Sequence, residues 1–158
     1  MMSVTETAYR DAISRFLSGV TVITTRHGSE TQGITATAVA SVTLQPPTLL
    51  VCLNRQSATC RTLIDSGAFA VNVLSASQQA LAQRFATKQP DKFAGVATTA
   101  GISGAPLLNG ALAHLECRVS AQNDVGTHRI FFGEVINVTV AEGAPLGYFR
   151  GGFSTLAT

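Results

Sequence analysis

The sequence predicts a single, mainly β domain: a small closed barrel with a few short helices as lids. Its 158 residues fit one compact domain, which we place over residues 1–158. Segments with the residue pattern of strands outnumber the helical segments. Strand–helix–strand alternation covers only the middle of the chain, so a parallel α/β sheet is disfavoured.

A short helix and a hairpin are predicted at the start of the chain. Residues 3–6 have the S-x-x-E pattern of a capping box, and apolar residues recur at helical spacing as far as Leu17. The β-branched run 20–25 predicts a strand. The polar segment 26–32, with Gly28, predicts a turn, and residues 33–39 predict the returning strand.

The middle of the chain alternates between strands and helices. Pro46 and Pro47 precede a predicted strand over 48–53, and Ser57 caps a predicted helix that ends at Gly67. A strand over 68–74 and a helix beginning at Ser77 follow. Residues 87–109 are rich in Gly, Ala, Thr and Pro, which predicts a long loop over the body of the domain.

Two long strands are predicted near the end. Residues 111–119 alternate between apolar and polar side chains. In 130–140 the even positions form a nearly continuous apolar face, interrupted only by Glu134.

Composition excludes several classes of protein. Apolar residues make up 46% of the chain, which excludes intrinsic disorder, and the net charge of +2 is small and unclustered, so a nucleic-acid partner is not indicated. No apolar run approaches the roughly 20 residues of a membrane span, so we expect no membrane partner either. Charged residues are only 13%, which favours a surface that faces another subunit or a ligand.

The N-terminus and the cysteines favour the cytoplasm. The first residues are polar and include acids, unlike a secretory or transit peptide. Cys52, Cys60 and Cys117 are odd in number and form no C-x-x-C pair, so we expect small core residues rather than disulfides or a zinc site.

Familiar catalytic motifs are absent. The sequence has no G-x-G-x-x-G after a strand, no Walker A loop, no H-E-x-x-H and no G-x-S-x-G. Its three histidines are scattered, so no metal site is predicted, and no two acidic residues are placed to share a pocket.

Two segments are rich in hydroxyl groups. In residues 33–43 the hydroxyls of Thr35, Thr37, Ser41 and Thr43 share one face if the strand is unbroken, and that face could bind the edge of a flat heterocycle. The alternative is an ordinary Thr-rich strand. Residues 54–59 join a strand end to a helix start, where free N–H groups attract anions. Here the alternative is a solvent-exposed helix cap.

Two further candidates lie near the end of the chain. His128 follows Gly126 and Thr127 at the start of a strand, where an imidazole can face a pocket mouth, although a plain surface residue is the alternative. Residues 146–153 combine aromatic side chains and an arginine in a Gly-rich segment, which fits a lid over a ring or a packed edge strand. We assign His27 to the surface and His114 to a structural or exposed role.

These segments, in this order, resemble the flavin reductase family, the small reductase components of two-component flavin monooxygenases. The similarity is greatest to reductase components of 4-hydroxyphenylacetate 3-monooxygenases. It runs from residue 16 to residue 150, and its carriers are residues 33–36, 41–47, 54–59, 69–74, 84–86, 126–128 and 132–135.

The resemblance implies a fold, an activity and partners. The fold is an FMN-binding split β-barrel, normally a homodimer with the flavin near the subunit interface. The activity is hydride transfer from NADH or NADPH to FMN or FAD, with the reduced flavin released to a partner oxygenase. A nicotinamide that stacks on the flavin needs no Rossmann site, which agrees with the missing fingerprint.

The resemblance also implies roles for individual residues. The flavin would be bound by Thr35, Ala36, Thr37, Ser41, Val42, Asn54, Ser57, Thr59, Arg84 and Phe85. The nicotinamide side would be approached by His128, Tyr148 and Arg150, and His128 is also the catalytic candidate, as a residue that orients the stacked rings. Many relatives carry Asn where this chain has Thr37.

Two other classes of function share these motifs. One is a non-catalytic module that binds or carries flavin. The other is a sibling enzyme with another acceptor, such as a cobalamin precursor, or a pyrimidine-pathway flavin reductase.

Overall fold

A computed structural model describes residues 3–157, most of which form antiparallel strands. Three α-helices cover Glu6–Ile13 (α1), Ala58–Ser66 (α2) and Gln79–Phe85 (α3), with a 3₁₀ turn at Ala76–Gln78 before α3. The strands are β1 Ser18–Gly19, β2 Thr21–His27, β3 Glu30–Ala36, β4 Val39–Leu44, β5 Pro47–Asn54, β6 Ala68–Val73, β7 Thr98–Ala100, β8 Pro106–Leu108, β9 Ala113–Val125, β10 His128–Val140, β11 Leu146–Phe149 and β12 Gly152–Thr155.

Seven strands form one sheet, in the order β3-β2-β6-β9-β10-β5-β4. Its two edge strands, β3 and β4, are consecutive in the chain and are joined by only Thr37 and Ala38. The sheet must therefore curl until its edges almost meet, and β3 contacts β5 across the closure. The prediction of a mainly β barrel is confirmed.

Two apolar clusters fill the domain. One lies inside the barrel beneath α2 and includes Phe69, Phe131 and Leu63. The other lies beneath α3 and includes Val22, Phe85 and Leu146. Cys60 and Cys117 are buried in the first cluster, as the sequence predicts, and burial together with the nearby charge of Glu116 raises the pKa of Cys117 to about 12. Its thiol is therefore unreactive at neutral pH.

Residues 33–43 do not form one unbroken strand, so the condition for a single face of four hydroxyl groups is not met. β3 ends at Ala36 and β4 begins at Val39, because the chain there leaves one edge of the sheet and starts the other. Thr35 and Ser41 consequently lie on different strands. The preceding turn is also tighter than predicted, since β2 and β3 extend to His27 and Glu30 around Gly28, whose φ is +58°.

Helix α1 is shorter than the apolar pattern predicts. Thr5, rather than Ser3, is its N-cap, and it ends at Ile13, so Phe16 and Leu17 lie beyond it. None of its residues is buried, and Phe16 and Leu17 are also exposed. The pattern therefore marks an unpartnered apolar surface of this chain.

The predicted loop 87–109 contains the hairpin β7–β8 and is fastened by buried polar groups. The side chain of Asn72 donates to the carbonyl of Val22 and accepts from the N–H of Leu108. Glu116 is 1% exposed and accepts hydrogen bonds from the N–H and hydroxyl of Ser103. Hydrogen bonds that only the tertiary fold provides thus order a segment that looks irregular in the sequence.

The last two long strands begin and end differently from the prediction. β9 extends to Val125 and β10 starts at His128, so they form one long hairpin. In β10 the barrel interior is lined by Phe131 and Gly133 rather than by the even-numbered apolar residues, among which Val138 and Val140 are exposed. Register shifts at 132/133 and 135/137 accompany this reversal.

Candidate functional site

The loop that follows β5 and the turn that precedes β10 form one site. Asn54 and His128 are register partners across the β5–β10 ladder. The N–H of Arg55 donates to the carbonyl of Thr127 over 3.0 Å, and its guanidinium donates to the carbonyl of Gly126 over 3.3 Å. These segments line a cavity of about 550 Å³. The structure thus brings together two candidates that lie more than 70 residues apart in the sequence.

One excess positive charge lies at this cavity, which we call the loop–turn site. Arg129 is the cross-strand partner of Asp124 and donates to both of its carboxylate oxygens, over 2.5 and 2.8 Å. Arg55 approaches the same carboxylate at 3.5 Å. The hydrogen bonds from Arg129 lower the pKa of Asp124, so the cluster is one carboxylate between two guanidinium groups.

Sequence reasoning missed Arg129 and Asp124. Both flank the Gly126–Thr127 turn, and a charge pair placed symmetrically about a two-residue turn is the signal that would have found them.

Ser57 acts as the N-cap of α2. Its hydroxyl donates to the carbonyl of Asn54 over 2.8 Å and accepts from the N–H of Cys60 over 3.1 Å. Thr59 is only 2% exposed. The geometry therefore favours the helix-cap alternative for Ser57. Within residues 3–157 no hydrogen bond of the Ala58 and Thr59 N–H groups is found, so these two donors stand at the start of α2.

His128 is exposed beside the loop–turn site. Its Nδ1 lies 2.9 Å from the hydroxyl of Thr127, which leaves Nε2 for a ligand. His114, by contrast, is structural: its Nε2 donates to the carbonyl of Leu108 over 2.8 Å, and its Nδ1 lies 2.8 Å from the hydroxyl of Thr139. His27 is on the surface.

A second cavity, of about 430 Å³, brings Thr35 and Thr37 together with Tyr148. We call it the α3 cavity, because Gln83 and Ala86 at the end of α3 also line it. The hydroxyl of Thr35 donates to the carbonyl of Ala82 over 2.6 Å, so its proton is used by the fold.

Two of the sequence candidates on α3 differ in their surroundings. Phe85 is 0% exposed and packs edge-to-face on Phe93 at 5.0 Å, so its side chain belongs to the core rather than to the wall of the cavity. Arg84 is half-buried, and its Nε is buried without a hydrogen-bond partner among the described residues. A buried donor without a partner is unfavourable, and a ligand atom that accepts a hydrogen bond from this nitrogen would satisfy it.

A third, apolar groove of about 320 Å³ runs along β4. Ser41 lines this groove. Val42 follows it on β4 and is exposed, and Ala36 packs partly against the barrel core. Of the predicted flavin residues, four line these openings, and they are divided among all three: Asn54 lines the first, Thr35 and Thr37 the second, and Ser41 the third.

Two features are absent from residues 3–157. No helix is long and apolar enough to cross a membrane. No three His, Cys, Asp or Glu side chains within that range cluster so that they could hold a metal ion.

Comparison with known proteins identifies relatives over most of the chain. Residues 13–157 match the family described as flavin reductase like domain. An FMN reductase (NADH) RutF of Pseudomonas syringae is 45% identical over 93% of this chain and 84% of its own length. The reductase component of a 4-nitrophenol 4-monooxygenase/4-nitrocatechol 2-monooxygenase of Rhodococcus opacus is 42% identical over 92% of this chain and 78% of its own.

Solved structures agree with these relatives. The NADH:FAD oxidoreductase of Streptomyces globisporus C-1027, in complex with NAD and FAD fragments, superposes with a TM-score of 0.91 and 38% identity. The match covers 96% of this chain and 92% of that one.

Proposed function

This chain belongs to the flavin reductase-like family, and we propose that it transfers a hydride from NADH to FMN or FAD and supplies reduced flavin to a partner monooxygenase. The observation that carries the proposal is the loop–turn site, a cavity of about 550 Å³ where backbone donors and an excess positive charge lie beside His128. Relatives named as FMN reductases (NADH) and as monooxygenase reductase components support it.

The residues present fit a flavin and a nicotinamide. When bound, the flavin accepts the hydride and the nicotinamide donates it. The chain's own part is to bind and orient the two rings, because hydride transfer needs close stacking and no covalent nucleophile. We assign the phosphate of the flavin to the start of α2, where the Ala58 and Thr59 N–H groups, Asn54 and Arg55 stand.

The remaining roles are proposals of the same kind. Thr35, Thr37 and Ser41 offer hydroxyls along the openings beside β3 and β4, and Ala36 leaves room for a ring. Nε2 of His128 donates to the donor's carboxamide or to the flavin and so orients the stack. Tyr148 lines the α3 cavity, where its side chain would contact one of the rings.

Turnover tests the activity. Under anaerobic conditions, NADH with FMN or FAD is expected to give rapid loss of flavin absorbance, and NADPH is compared in parallel to establish the donor. Riboflavin at the same concentration is the matched acceptor without phosphate. If no donor–flavin pair reacts above the uncatalysed rate while FMN still binds, the chain is a flavin carrier and the enzyme proposal is wrong.

Substitutions that differ only in charge can separate the role of Ser57 as a helix cap from a role beside the flavin phosphate. Ser57→Asn and Ser57→Asp both keep an N-cap, so each should stay within about 0.5 kcal/mol of wild type in urea unfolding, whereas Ser57→Ala should lose about 1 kcal/mol. If the phosphate binds at the start of α2, the carboxylate repels it. Ser57→Asp should then weaken FMN binding about tenfold or more relative to Ser57→Asn, with riboflavin binding alike in both. Equal FMN affinity in the two variants would move the phosphate elsewhere.

We also propose a homodimer. Leu44 on the edge strand β4 and Val138 on β10 line the apolar groove that Ser41 lines, and they are 83% and 57% exposed; Val140 on β10 is 84% exposed. Solvent contact of so many apolar side chains is unfavourable, and a second copy would cover them. Light scattering measures the mass of the protein in solution, which should be that of two chains. We also propose that the protein works in the cytoplasm, where reduced nicotinamide is available.

A further inference from the structure

The turn between β11 and β12 contains an unusual backbone conformation. Arg150 has φ of +50° and is the one non-glycine residue with a positive φ among residues 3–157. Gly151 follows with φ of +79°, and Phe149 and Gly152 pair across the hairpin. Two central residues with positive φ form a type I′ turn, for which Asn-Gly is the favoured pair. Arginine at the first position is therefore a costly choice for the turn itself.

The fold holds Arg150 in this conformation without using its side chain. Its N–H donates to the carbonyl of Ser14 over 3.0 Å, and β11 pairs with both β1 and β12. The guanidinium makes no hydrogen bond and no ion pair within the described residues. A side chain that contributes nothing to the turn and disfavours its backbone points to a role outside folding.

The residues around Arg150 indicate the chemistry of a ligand that would bind there. Gly151, Tyr148 and Phe153 line the α3 cavity together with Thr35 and Thr37. The lining contains no acidic side chain, and Tyr148 and Phe153 pack edge-to-face at 5.3 Å. Aromatic faces and hydroxyls suit a flat, polar ring. A free guanidinium in the turn beside them suits an anionic group attached to that ring, because its planar donors match phosphate oxygens.

We propose that Arg150 binds the diphosphate of the reduced nicotinamide donor and thereby sets the preference for a dinucleotide over a simple dihydronicotinamide. This rests on the proposed hydride transfer. The resemblance places Arg150 on the nicotinamide side of the site, and we assign to it the contact with the phosphates of the donor. The flavin phosphate is the other source of the same chemistry, and it is already assigned to the start of α2.

Steady-state kinetics with two donors test the proposal. NADH carries the diphosphate, and N-benzyl-1,4-dihydronicotinamide carries the same reacting ring without any phosphate. In Arg150→Asn the KM for NADH should rise roughly three- to tenfold, which lowers the selectivity for NADH over the benzyl donor by that factor. Arg150→Lys should restore part of the selectivity. Arg118→Asn, which removes an exposed arginine from β9, is the control for charge alone.

Stability gives an independent readout. Asparagine is favoured at this turn position, so Arg150→Asn should raise Tm by about 2–4 °C while it weakens the binding of NADH. A purely structural residue would not combine a gain in stability with a loss of donor selectivity. Unchanged selectivity in Arg150→Asn, with wild-type turnover intact, overturns the proposal. A loss of FMN affinity without a loss of riboflavin affinity assigns Arg150 to the flavin phosphate and also overturns it. Absence of turnover in the wild type would instead refute the proposed function.

Discussion

Glu116→Ala is expected to lower the free energy of unfolding by about 3 kcal/mol, because it leaves a cavity and unpaired buried donors. One carboxylate oxygen accepts from the N–H of Ser103 over 2.9 Å and from its hydroxyl over 2.8 Å, and the other accepts from the side chain of Asn137 over 2.8 Å. The carboxylate thus joins β9 to β10 and to the segment before β8. Urea unfolding measures the loss, and hydrogen exchange should show residues 101–109 opening first.

The charge of Glu116 can be tested separately. Glu116→Gln turns one acceptor into a donor that faces the amide of Asn137, so it should cost about 1.5–3 kcal/mol. Glu134→Gln on the exposed side of β10 is the matched control and should change stability by less than about 0.5 kcal/mol. If Glu116→Gln is as stable as the control, the negative charge of Glu116 does not contribute to the stability of the fold.

The same carboxylate predicts a dependence on pH. Burial alone would raise the pKa of Glu116, but hydrogen bonds from Asn137 and Ser103 and the nearby charge of His114 outweigh burial, and the pKa lies below its ordinary value. A depressed pKa means that the carboxylate stabilises the fold fully above the pKa of the unfolded chain, about 4.3, and loses this contribution as the pH falls through the lower folded value. The stability difference between wild type and Glu116→Gln should therefore be constant near neutral pH and shrink below about pH 4.

Gly133→Ala is expected to cost about 2–3 kcal/mol, an unusually large effect for adding one methyl group. A Cβ at this position would lie 2.6 Å from Cζ of Phe69 and 2.8 Å from Cβ of Cys117. Gly133 follows a register shift in β10, where the backbone lies against the ring of Phe69 inside the barrel. Glycine is needed here for close approach rather than for an unusual φ.

A second substitution can show whether the contact with Phe69 causes the loss of stability in Gly133→Ala. Gly19→Ala on β1 places a methyl group where no atom lies within 4 Å and should be nearly neutral. Phe69→Leu shortens the opposing side chain, so Gly133→Ala should cost less in the Phe69→Leu background than in wild type, a favourable coupling in a double-mutant cycle. Additive costs would mean that the strain comes from the strand and not from Phe69.

Local patterns in the sequence determined much of the domain. β-branched runs and alternation predicted most of the strands, and Ser57 and Gly67 marked the ends of α2, because side-chain periodicity and caps act between residues close in the chain. The order of its motifs also predicted the flavin reductase family. Those predictions needed no knowledge of which strands are neighbours.

The tertiary structure alone decided what meets at the site. The register of β5 and β10 places Asn54 opposite His128, and closure of the sheet breaks the Thr-rich strand at Thr37. Phe85, predicted at the ligand, is buried in the core, and the hydroxyl of Ser57 is used by the helix cap. Pairing between distant strands depends on the packing of the whole barrel, and no window of the sequence contains that information. The positive φ of Arg150 is likewise a consequence of the β11–β12 register, which the sequence Arg-Gly-Gly does not reveal.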